Sequence, residues 1–120
     1  MHKPSWKLAL ALSLCFSGTA FAQTRAENIA TCKANEAYMA AVKACTALIA
    51  ANAKDADAYY WRSLVYLKDS NRQRATADID LAVKLAPAKA KAYREEYDRQ
   101  KEAANEKSNA GLLNGIGGAF

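Results

Sequence analysis

The chain has a single histidine, His2, among 120 residues. It sits in a segment read below as a removable leader. The rest of the chain then has no imidazole for general acid–base work, for a nucleophile triad or for metal ligation. No G-x-S-x-G, phosphate-binding loop or G-x-G-x-x-G run is present. C-x-x-C, the usual spacing of a redox dithiol, is missing too. Catalysis by Asp, Glu, Lys or Tyr alone stays open, but no spacing points to it. The expectation is a protein that is not an enzyme and uses no cofactor or metal. A concentrated basic face is also lacking, so no nucleic-acid partner is expected.

What is there begins with an export signal. His2, Lys3 and Lys7 lie in or flank a short polar start, and Leu8 to Phe16 is an apolar run. Ala20-Phe21-Ala22 places small residues where a signal peptidase needs them. The apolar run is too short to span a bilayer comfortably, so no stable membrane insertion is expected after cleavage; an uncleaved anchor is the alternative. Cys15 follows the bulky Leu14, where a lipoprotein site would have a small residue. Residues 1–22 are therefore expected to leave, giving a periplasmic or secreted protein that starts at Gln23. Losing Lys3 and Lys7 lowers the formal charge from +5 to about +3 on 98 residues. That length suits one small domain with one core.

Helical punctuation organises the remainder. Asn35 reads as an N-cap before Glu36-Ala37-Tyr38, with apolar positions at Ala37, Ala41, Ala44, Cys45 and Leu48 and an end near Asn52. Asp55 or Asp57 caps a second helix to about Lys68, and Asp69-Ser70-Asn71 is a turn cluster. A third helix reaches Ala86 with Ala75, Ile79, Ala82 and Val83 on one face. Pro87 begins or directly precedes a charged fourth helix, in which Tyr93 and Tyr97 share a side. Residues 108–120 have four glycines and no charged side chain. They read as a mobile tail, or as a short apolar segment that docks into a groove.

Within Ala56–Pro87 the spacing is informative. Tyr59, Arg62, Ser63 and Tyr66 fall where a tetratricopeptide repeat has W-x₂-L-G-x₂-Y. Ala75 and Ile79 match its A-x₃-F, Ala82 follows, and Pro87 closes the unit. Small residues let two helices approach while bulky ones fill the gaps. The chain resembles a tetratricopeptide repeat protein. The resemblance implies an all-α fold of antiparallel helical hairpins, a fragment of an α-solenoid. A backward shift of one repeat lays AVKACTALIA on the second helix, with Leu48 and Ala53 departing from the pattern. The expected layout is a partial repeat over about 23–55, a clear repeat over 56–89, a polar capping helix over 90–107 and the tail.

After cleavage two cysteines remain, Cys32 and Cys45. An even count in an exported chain favours a disulfide; two free buried thiols or a redox site are the alternatives. Periplasmic proteins of this repeat type carry a similar cysteine pair before the first clear repeat. In a regular hairpin, however, Cys32 would face Ala37 to Ala41. A bond therefore requires the segment before Asn35 to fold back irregularly.

The family generally binds proteins or peptides. On the first helix of the clear repeat, the groove face would carry Asp57, Tyr60, Trp61, Leu64 and Lys68. The alternative is that Trp61 and Leu64 pack against neighbouring helices. A clamp for a C-terminal carboxylate is incomplete, since the matching places offer Lys91 but otherwise Trp61 and Glu95. The functional expectation is an exported scaffold or adaptor with a protein or peptide partner. A structural or accessory subunit of a cell-envelope assembly is the alternative.

Overall fold

The computed structural model describes residues 23–117, with side chains through Gly111. The leader read in residues 1–22 and the last three tail residues lie outside the described residues. The described residues form an all-α fold with five α-helices and no strand. They are α1 (Arg25–Ala34), α2 (Tyr38–Ala51), α3 (Ala56–Lys68), α4 (Arg72–Leu85) and α5 (Ala90–Gly117), with a 3₁₀ turn at Pro87–Lys89 before α5.

Capping explains most boundaries. Asp55 caps α3 by accepting from the Ala58 amide at 3.2 Å. Asn71 caps α4 by accepting from the Arg74 amide at 3.3 Å. The turn before it places Ser70 in the left-handed region, at φ 62°. Pro87 opens the 3₁₀ turn, where its missing N–H costs nothing.

Three expectations need correction. The segment before Asn35 is not irregular: it is helix α1, whose Thr24 accepts from the Glu27 amide at 3.1 Å. Thr24-x-x-Glu27 is the sequence signature of such a start. Asn35 is not the N-cap of α2 but the C-cap of α1, at φ 51° and ψ 41°. Asparagine tolerates that left-handed geometry, which ends helices. Ala37 then precedes α2 with no side-chain cap. Lastly, the helix expected to stop at residue 107 continues to Gly117. No proline interrupts it, and each added residue of an established helix gains a backbone hydrogen bond. A Cβ placed on Gly111 would meet nothing within 4 Å.

Contacts fix the helix directions. Arg62 on α3 meets Asp78 on α4; Asp80 and Thr76 on α4 meet Arg94 and Tyr97 on α5, respectively. In the α4–α5 pair the earlier residue meets the later one, so these helices run antiparallel. The α3–α5 pair differs. Asp57 lies against Lys89 and Tyr93, while Lys68 shares a cleft with Gln100 and Ala104. Early meets early and late meets late, so α3 and α5 run parallel. The same holds for α1 and α3, where Arg25 approaches Asp55 and Asn35 bonds Leu64 and Lys68.

Two adjoining clusters make the core. One joins α1, α2 and α3 through Cys32, Ala41, Ala44, Cys45, Leu48, Ala58 and Val65. The other joins α3, α4 and α5 through Tyr66, Leu67, Ala75, Ile79, Ala82, Tyr93 and Tyr97. Ala75 and Ala82 are fully buried, as a close helix approach requires.

Candidate functional site

Cys32 and Cys45 form a disulfide that joins α1 to α2, with Cα atoms 5.0 Å apart. The objection drawn from hairpin register fails because the connection is not tight. Ala37 is extended, at φ −117° and ψ 119°. The three residues between the helices let the end of α1 lie further down α2, bringing Cys32 level with Cys45. The bond fixes the last turn of α1, which carries Lys33, Ala34 and the cap Asn35.

That turn is one wall of a cleft of about 360 Å³. The opposite walls come from α3, with Trp61, Leu64 and Lys68, and from α5, with Glu96 and Gln100. Lysine 33 holds its Nζ 5.5 Å from the centre of the Trp61 ring, a cation–π distance. Asn35 Nδ2 donates to the Leu64 carbonyl at 3.4 Å. The Lys68 ammonium donates back to the Asn35 carbonyl at 2.6 Å. A second cleft of about 380 Å³ continues from the first through Lys68 and Gln100, reaching Leu67, Ser70, Ala104 and Lys107.

The five groove residues read from the sequence divide into two sets. Trp61, Leu64 and Lys68 come together in the cleft. Asp57 and Tyr60 instead form the joint between α3 and α5. Tyr60 stacks on Tyr93 with ring centres 4.4 Å apart and planes 19° from parallel. The Tyr93 hydroxyl donates a short hydrogen bond to Asp57, and Lys89 Nζ donates to both Asp57 oxygens at 3.2 and 3.3 Å. Burial pushes the Asp57 carboxyl up, but the bonds from Tyr93 and Lys89 outweigh it and hold its pKa below the usual 3.8. Burial, reinforced by the bond to Asp57, pushes the Tyr93 phenol well above its ordinary value.

The cleft residues missed in the sequence are Lys33, Asn35, Glu96, Gln100 and Lys107. The first two lie on α1 and its cap, a helix announced only by Thr24 and Glu27. The other three lie on α5, which read as a cap rather than a wall. Chemically, the arrangement offers a half-buried apolar pair, Trp61 and Leu64, with exposed cations and amide groups between two helix ends and the body of α5. Among the described residues no three His, Cys, Asp or Glu side chains gather as metal ligands. No helix among them is long and apolar enough to cross a membrane.

No known family model matches this chain, and neither does any curated protein or solved structure.

Proposed function

We propose that the chain is an exported scaffold or adaptor of tetratricopeptide-repeat type. It acts in the periplasm or outside the cell and holds a protein or peptide in the cleft between α1, α3 and α5, without catalysis. The observation that carries this reading is the cleft itself, where the C-terminal ends of α1 and α3 and the body of α5 surround the half-buried Trp61. Two further features support it. Partner residues are separated by 29, 30 and 33 positions between α1 and α3 (Asn35 with Leu64, Arg25 with Asp55, Asn35 with Lys68), and by 32 and 36 for Asp57 with Lys89 and Tyr93. These values bracket the about 34-residue repeat length of that family. The disulfide suits an oxidising compartment.

The test is affinity capture from envelope extract with the wild-type chain and Trp61→Ala. A partner retained by wild type and lost from a folded Trp61→Ala variant supports the groove. Equal capture by both removes it, and circular dichroism separates lost binding from lost folding. The second reading, an accessory subunit of an envelope assembly, draws on the outer surface. Met39 on α2 is 75 % exposed, and Leu81 and Leu85 on α4 are exposed too. Capture lost on substituting those residues, and not Trp61, favours it.

A further inference from the structure

The two clefts form a continuous channel along the C-terminal ends of α1 and α3 and the middle of α5, since Lys68 and Gln100 line both. Its charges are one-sided. Lys33, Lys68 and Lys107 line it, and among the described residues none of the three is ion-paired with a carboxylate. The one acidic side chain on the channel, Glu96, is itself paired with Arg99. The opposite end of α3 is different: there Asp55 approaches Arg25, and Asp57 is paired with Lys89. Among the described residues no carboxylate lies within ion-pair distance of these cations: Lys33 sits over the Trp61 ring and Lys68 donates to the Asn35 carbonyl, with Glu36 and Asp69 in the adjoining cleft that Lys68 also lines. The ammonium groups therefore keep donors for an acidic ligand, while Asp55 and Asp57 at the far end are already paired.

Part of this pattern has a local cause. Lys33 and Lys68 stand in the last turns of their helices, where a cation complements the helix dipole. That cause does not reach Lys107, which lies within α5, ten residues before its end. Nor does it explain the half-buried apolar pair beside the cations, Trp61 and Leu64.

Resting on the adaptor reading above, we infer that the channel takes an acidic peptide segment carrying one large apolar side chain. Carboxylates of the segment meet Lys33, Lys68 and Lys107, and the apolar side chain packs on Trp61 and Leu64. An aromatic anchor with a charged rim concentrates binding energy at the centre and uses the rim for selection and encounter rate. A nucleic acid is the less suitable polyanion. The channel has three lysines and no arginine fork, and it offers a single indole for base stacking.

The experiment is selection of a random nonapeptide display library on the full chain, followed by anisotropy measurements on labelled enriched peptides. The expected outcome is enrichment of Asp and Glu around an aromatic or large aliphatic residue. Binding should fall about tenfold in Lys68→Glu and in Lys107→Glu. It should be restored to those variants when the facing carboxylates of the peptide are exchanged for lysine. Circular dichroism confirms that each variant folds. Enrichment of neutral or basic peptides that still need Trp61 overturns the acidic preference and leaves the adaptor reading in place. Peptides that bind equally well to wild type and Trp61→Ala overturn both. No enrichment, or displacement of the enriched peptide by a dT15 oligonucleotide at lower concentration than by unlabelled peptide, overturns the proposal.

Discussion

The two halves of the core are held by different chemistry. Where α1 meets α2, the buried residues are small or aliphatic, and the disulfide supplies the link. No side-chain hydrogen bond or ion pair joins α1 to α2 among the described residues. Where α3 meets α4 and α5, aromatic rings and charges do the joining. Arg62 Nε and Nη2 donate to Asp78 at 2.6 and 2.8 Å. The guanidinium also lies over Tyr59 and Tyr66, at 5.6 and 5.8 Å. Tyr60, Tyr93 and Asp57 close the other side. A short helix with little apolar surface is stabilised by restricting its unfolded chain; a helix with large rings and paired charges is stabilised by contacts in the folded state.

Removing one partner of the Arg62–Asp78 pair should have the largest effect. Asp78 is 6 % exposed and Arg62 18 %, so Asp78→Ala leaves a partly buried guanidinium with Thr46 but without its counter-charge. The expected loss is about 3–5 kcal/mol by urea unfolding. A loss under about 1 kcal/mol would mean the pair behaves like an exposed one.

Reducing Cys32–Cys45 should come next, at about 3 kcal/mol for a loop of this length. Its signature is regional. Hydrogen exchange should rise first in Arg25–Ala34, while α3 and α4 keep their protection. Uniform loss of protection along the chain would erase the contrast between the two halves.

Ala75→Leu tests packing in the second half. Ala75 has no exposed surface, so three extra carbons should overpack the α3–α4 approach and cost about 1–3 kcal/mol. An unchanged thermal midpoint would place Ala75 away from that approach.

The smallest effect is a pH dependence. The folded pKa of Asp57 lies below its usual 3.8, so the unfolded chain binds this proton more readily than the folded one. The resulting stability is present above the unfolded pKa and is lost as pH falls through the lower folded value. Asp57→Asn should therefore flatten the decline in stability below about pH 4. An identical acid profile for variant and wild type would show that the joint with Tyr93 and Lys89 contributes nothing through this charge.

The same contrast decided what could be read in the sequence. Around α3 and α4 the spacing of Tyr59, Ser63, Tyr66, Ala75, Ile79 and Ala82 reports close helix packing, because large and small residues must alternate at fixed intervals there. Asp55 and Pro87 marked real boundaries. Around α1 the apolar signal is thin, and the capping pair Thr24 and Glu27 was the available sign. Asn35 was misplaced because asparagine serves both ends of a helix: its side chain caps N-termini, and its backbone tolerates the left-handed turn at C-termini. The cleft was half legible for a related reason. Trp61, Leu64 and Lys68 share one helix, so periodicity collects them. Lys33, Gln100 and Lys107 join them only through helix directions that pairwise contacts reveal.

The most direct measurement is amide and indole chemical-shift mapping of the full chain, titrated with the peptide enriched on it. Binding in the cleft is expected to shift Lys33, Asn35, the Trp61 indole, Lys68 and Gln100 together, saturating at one common concentration. Shifts confined to the outer surface at Met39, Leu81 and Leu85, with the Trp61 indole unmoved, would contradict it.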